Sequence, residues 1–150
     1  MQGRKILEAL IRTLNERSKA NESAIKRALP GFGSSELFCV AYIGRNSDVN
    51  VTKLAAAVGM TRGAISKLAK RMQDNGMIEC YQREENKKEV HYVLTDQGWQ
   101  VYLKLQDLNR KADERDRAFF ETICKEDADA LERFVDGYHA YLEKLLKEKE

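Results

Sequence analysis

At 150 residues the chain can bury one core but hardly two independent ones, so a single domain over 1–150 is expected. Hydrophobic residues at 43%, charged residues at 33% and a lone proline exclude a disordered chain and point to a charged, helix-rich one. Because 26 basic residues nearly cancel 24 acids, bulk charge cannot draw the protein to a polyanion, and nucleic-acid affinity has to come from a local patch.

In chain order, Ile6, Leu7, Leu10, Ile11 and Leu14 recur at three- and four-residue steps, which predicts an amphipathic helix over about 4–20. After the breakers Pro30, Gly31 and Gly33, Ser34 or Ser35 is expected to cap a helix through "ELFCVAYIG" that Gly44 ends. That segment is apolar nearly all round and is expected to be buried. A polar loop, "RNSDVN", leads to Thr52, read as the cap of a short helix, "KLAAAV". Gly59 then supplies the positive φ of a tight reversal. Leu54, Ala55, Val58, Met60, Ile65 and Leu68 fall where two helices crossing over such a turn must touch, which is the spacing of a helix-turn-helix. Thr61 caps the second helix, expected to run to Asn75, with Arg62, Gly63, Ser66, Lys67, Lys70 and Arg71 on its outward face.

Beyond Gly76 the sequence alternates. Ile78 and Cys80 share one face of a strand and Val90, Tyr92 and Leu94 one face of another, which predicts a hairpin. Its tip, "EENKK", has no glycine, and Asn86 is read as the residue that takes the left-handed conformation there. A hairpin directly after a basic helix is a wing, placed to reach the minor groove beside the major groove the helix enters. The DNA-facing set is then Thr52, Thr61, Arg62, Gly63, Ser66, Lys67, Lys70 and Arg71, with Lys87 and Lys88 from the wing; Arg83 is expected to pair with Glu84, Glu85 or Glu89 instead. From Thr95 helical spacing resumes through Trp99, Tyr102 and Leu105 toward Phe119 and Phe120. It restarts near Asp127 with Leu131, Phe134, Tyr138, Leu142 and Leu145, giving two long helices with more apolar face than a small winged lobe covers.

"ELFCVAYIG", "NVTKLAAAVGMTRGAISKLAKRMQDNGMIE", the "NKKE" wing tip and the "VLTDQG" exit, in this order between long terminal helices, resemble the MarR family of winged-helix regulators. The resemblance implies a mainly α fold with a small β-hairpin wing: a winged lobe over about 35–96, and dimerisation helices over about 4–29 and 97–149. It implies a homodimer that binds double-stranded DNA at a pseudo-palindromic operator, acting as a repressor. It also implies a cleft for a small, often aromatic, effector, for which Phe38, Tyr42 and Phe119 are the candidate contacts. Many members carry Asp-x-Arg in the wing; the matching residues here are Asn86, Lys87 and Lys88.

Cys39, Cys80 and Cys124 are odd in number, widely spaced and outside any CxxC, which argues against a disulfide framework or a zinc knuckle and fits a reducing compartment. Cys39 in its apolar segment and Cys80 on the expected inner face of a strand are read as small buried hydrophobes. Cysteine-based redox sensing stays as an alternative, as does a winged-helix module for protein–protein contact. His91 and His139 are read as surface or packing residues without a second ligand at metal spacing. No nucleophile elbow, phosphate loop or paired carboxylates support an enzyme. Neither a cofactor nor a metal is expected, no segment has the length to span a bilayer, and a cytoplasmic location follows as the expectation.

Overall fold

The computed structural model describes residues 2–148, and the expected helix end at residue 149 lies outside them. The chain forms two compact units, Met1–Arg110 and Lys111–Glu150. Among the described residues no helix is long and apolar enough to cross a membrane.

The first unit opens with α1 (Gln2–Ala28), which continues past the expected end near residue 20. The apolar stripe fades there, but the helix continues because Ile25 packs on the core and Lys26 pairs with Glu22 one turn back, at 2.8 Å. Pro30 stops it by disfavouring helical backbone at the residue before it.

Helix α2 (Ser34–Arg45) departs from the expected caps. Neither Ser34 nor Ser35 caps it: Gly33 is the N-cap, and the Glu36 carboxylate accepts the Gly33 N–H at 2.8 Å. Nor does Gly44 end it. Gly44 lies inside the helix because the Tyr102 ring occupies the space beside it, so glycine serves close packing here rather than termination. One face of α2 is buried (Leu37, Cys39, Val40, Ile43), while Phe38, Ala41 and Tyr42 stay partly open, contrary to the expectation of burial all round.

The polar loop contains a strand too short for any periodicity, β1 (Val49–Asn50). Helix α3 (Val51–Val58) follows, and Asn50 rather than Thr52 caps it by accepting from the Lys53 N–H at 2.8 Å. Thr52 is already in the first turn. Gly59 takes φ 73°, and the N–H groups of Gly59 and Met60 both return to the Ala55 carbonyl. Helix α4 (Arg62–Asp74) then starts with Thr61 Oγ1 accepting from the Ala64 N–H at 3.2 Å. Leu54, Ala55, Ile65 and Leu68 are buried where the two helices cross, with Val58 and Met60 packed against them.

Strands β2 (Ile78–Arg83) and β3 (Asn86–Leu94) form the hairpin, and β1 adds to the other edge of β3, giving the antiparallel order β1-β3-β2. Val49, Ile78, Tyr92 and Leu94 cover the core. Cys80 does not: it is exposed, because only Ile78 of β2 lies over the helices and the rest of the strand projects into solvent. The tip is also built otherwise than expected. Glu84 and Glu85 form the turn and Asn86 is already in β3, outside the left-handed region, which among non-glycine described residues only Asp48 occupies (φ 55°). At the exit Thr95 Oγ1 donates to the Gly76 carbonyl (2.6 Å) and accepts from Gly98 N–H (3.0 Å), starting α5 (Asp96–Phe120).

The second unit holds the end of α5, the turn after it and α6 (Lys125–Lys147). Every described residue of α6 is exposed, although Phe134, Tyr138 and Tyr141 stack in sequence along it.

Candidate nucleic-acid interface

The helix-turn-helix and the hairpin bring side chains from three elements around one concavity. Thr52 of α3, Arg62 and Ser66 of α4, and Asn86 and Lys88 of the wing all line it. Lys67, Lys70, Arg71 and Lys87 are exposed on the same two basic elements but do not line it, and Thr61 and Gly63 stand at the exposed start of α4.

The cations of α4 divide by position. In its last turns Lys70 pairs with Asp74 at 2.9 Å, and Arg71 Nε donates at 3.0 Å to Glu36, a carboxylate 7% exposed. In its first turns Arg62 and Lys67 have no acidic partner among the described residues. Arg62 thus stands at the positive end of the helix dipole, where an anion is best held, and Lys67 lies one turn further along. Gly63 adds room: nothing lies within 4 Å of a Cβ built there, so the fold itself does not need a glycine. Ser66 donates its hydroxyl back to the Arg62 carbonyl at 2.9 Å and keeps its lone pairs outward.

The wing is braced near its tip. Lys87 and Lys88 lie in a bulge: Gln82 is opposite Val90 while Arg83 is opposite Asn86, so residues 87–89 have no partner on β2. Asn86 Oδ1 accepts from the Lys88 N–H at 3.2 Å, and Gln82 Nε2 donates to the Lys87 carbonyl at 2.7 Å. Neither lysine side chain has an acidic partner among the described residues. Glu89, the acid in the concavity, is taken by Asn50 and, at 3.3 Å, by Asn86. Arg83 pairs with Asp48 rather than with the wing glutamates, and that pair holds the Asp48 carboxyl below the ordinary aspartate range. His91 is buried and stacked on Tyr81, with ring centroids 5.2 Å apart.

A second concavity, of about 630 Å³, lies between α1, α2 and the first part of α5. Leu37, Phe38, Ala41, Tyr42 and Leu105 give it an apolar wall, with Arg17 and Arg45 among its polar residues. It gathers two of the three expected aromatic contacts. Phe119, on the α5 segment of the second unit, is exposed beside Phe120. Among the described residues no group of three His, Cys, Asp or Glu side chains is arranged to hold a metal ion.

Residues 33–90, which span α2, the helix-turn-helix and most of the hairpin, match the family model described as MarR family. Through this lobe the chain is similar to the MarR family. Over 99 residues it is 27% identical to the HTH-type transcriptional regulator YhjH of Bacillus subtilis (strain 168), a stretch that covers 66% of this chain and 57% of that protein. Among solved structures, Streptococcus pneumoniae FabT in complex with DNA matches with a TM-score of 0.80 at 18% identity, covering 95% of this chain and 98% of FabT. NadR in complex with 4-hydroxyphenylacetate matches with a TM-score of 0.65 at 16% identity, covering 89% and 91%. At such identities the structural likeness speaks for the fold. What sequence reading missed in this lobe is its polar bracing, Glu36–Arg71 and Asp48–Arg83, whose partners are 35 residues apart in each case. No local spacing signals a pair that distant.

Proposed function

We propose that this chain is a MarR-type, sequence-specific DNA-binding transcriptional regulator, working as a homodimer and repressing until a small ligand enters the α1–α2–α5 cleft. The observation that carries the DNA-binding part is the placement of unpaired cations: Arg62 at the positive end of α4 with Lys67 a turn further along, and Lys87 and Lys88 on the adjoining wing. A helix flanked by a second cationic element is the arrangement that suits a major groove and its neighbouring minor groove. The likeness to FabT, solved on DNA, supports the same reading.

Dimerisation is supported by apolar surface. Ile6, Ile11 and Leu14 of α1 and Leu131, Phe134, Tyr138, Leu142 and Leu145 of α6 are exposed in the single chain, more than a soluble monomer ordinarily leaves in water. A two-fold partner covers such stripes with identical ones and turns two α4 helices toward one duplex. The ligand part rests on the cleft, whose size suits a small organic molecule and which Phe38 and Tyr42 line; NadR, of the same fold, was solved with 4-hydroxyphenylacetate.

Genome-wide mapping of bound sites, followed by fluorescence anisotropy on the strongest one, tests this proposal. The expected result is binding at least a thousandfold tighter than to unrelated DNA, steep loss with salt, and an imperfect palindrome in the footprint. Equal, weak binding to every sequence would overturn it.

A further inference from the structure

The face of the sheet turned away from the core carries a connected set of polar side chains that the DNA-reading surface does not use. Residues 79, 81 and 83 of β2 share this face by strand alternation, and so do 91 and 93 of β3. Arg83 reaches the Asp48 carboxylate, which also accepts from the Tyr81 hydroxyl at 3.4 Å. Lys53 Nζ donates to the Asp48 carbonyl at 3.0 Å, so the segment that opens α3 holds Asp48 from behind. The other strand is tied to the same segment, since Asn50 donates its side-chain amide to Glu89 while its carbonyl oxygen caps α3. His91 lies buried between the two ties.

The ties therefore run from the wing to residues 48–53, which begin the helix-turn-helix. Their position along the wing matters. Arg83 is the last residue of β2, and its partner on β3, Asn86, is followed at once by Lys87 and Lys88. Past Ile78 every residue of β2 is exposed, and on β3 burial begins only near Val90, so the outer part of the hairpin has no buried side chain to fix its pitch. Polar ties at its far end are what remains to do so.

We propose that Asp48 and Arg83 are positioning residues for DNA binding: their ion pair sets the wing at the pitch that delivers Lys87 and Lys88 to the duplex. This rests on the DNA-binding reading above. Both side chains are solvent-accessible, so the pair adds little to global stability. Its effect is on the fraction of molecules whose wing is in the binding-competent pose, and apparent affinity scales with that fraction.

The sign of one substitution separates this role from simple electrostatics. Asp48→Asn removes a negative charge near a polyanion, which by charge alone tightens binding; loss of the brace weakens it. Asparagine also tolerates the positive φ at this position, so the backbone is kept. The experiment measures the affinity of D48N, R83Q and the double variant for the protein's own strongest genomic site, with amide ¹⁵N relaxation of Lys87 and Lys88 in the free protein. The expected result is a loss of roughly two- to fivefold in each single variant and no further loss in the double. The salt slope falls by about one to two as the wing contacts drop out. Both lysine amides become mobile while the thermal midpoint stays put. Binding by D48N equal to or tighter than the parent's overturns the proposal, as does an R83Q loss that adds in full to that of D48N, since Arg83 then touches DNA itself. A parent protein that prefers no DNA sequence refutes the DNA-binding reading; the relaxation of Lys87 and Lys88 still decides whether the pair holds the wing.

Discussion

The ring of Tyr102 stands where a side chain on Gly44 would be: a Cβ built there lies 2.5 Å from Cδ2. Contact at that range fixes how α2 and α5 pack, and it makes the glycine a requirement of packing. Gly44→Ala gains up to about 1 kcal/mol of helix propensity and loses about 1–3 kcal/mol to overpacking, so net destabilisation is expected in urea unfolding. An unchanged or higher midpoint would show that the ring moves aside freely.

Arg71 has a structural duty that its exposure conceals. Its Nε satisfies a buried Glu36 oxygen, while the other oxygen is held by the Gly33 N–H. Arg71→Ala should cost about 1–3 kcal/mol of stability through the orphaned carboxylate. Arg62→Ala should leave stability nearly unchanged yet lower operator affinity by about 1–3 kcal/mol if the guanidinium reaches a base edge. Parallel denaturation and anisotropy measurements on both variants check the division; equal stability losses would contradict it.

Gly63 is expected to show opposite effects on folding and binding. Nothing in the chain obstructs a Cβ there, so Gly63→Ala should stabilise the fold by up to about 1 kcal/mol. The added methyl stands between α4 and whatever approaches its N-terminus, so operator affinity should fall at the same time. Gain in both quantities would mean that DNA does not come close to this turn.

The three thiols should react in a fixed order. Burial, then the nearby Glu36 charge, push the Cys39 thiol up to about 11, whereas Cys80 and Cys124 are exposed. Only the thiolate attacks a disulfide reagent, so at pH 8 Cys80 and Cys124 should label in the native protein and Cys39 only on unfolding. The linkage has a definite sign. A group whose folded pKa is raised gives its full stabilisation below its ordinary value near 9, and this is lost as pH climbs toward about 11. Denaturation midpoints across that window should therefore fall, and a Cys39→Ala variant should fall less.

The backbone plan was legible because its signals are local. Gly59 and Thr61 mark the turn and the next cap within three residues, and alternation through Val90, Tyr92 and Leu94 marks a strand. A cap two residues away from the expected one is a tertiary matter: Asn50 outcompetes Thr52 because β1 pairing holds it extended. Cys80 was misjudged because alternation reports which face a residue takes and not whether anything covers that face. At the candidate site, residue types and order were readable, but which cations are free was not. Lys70 and Arg71 look like Arg62 and Lys67 in the sequence, and only Asp74 one turn on and Glu36 on another helix set them apart.

Helix α6 buries no side chain within its own chain, and that has a consequence for abundance. An isolated helix of 23 residues is held by backbone bonds and a few i, i+4 pairs, which leaves it marginal in water. If a second copy supplies its covering, mass action ties its order to how much protein is present. A cell making few molecules then holds a population with unravelled C-terminal segments, open to proteases, and one making many holds a protected one. Turnover itself would sharpen the response, steepening the dependence of occupied operators on synthesis rate.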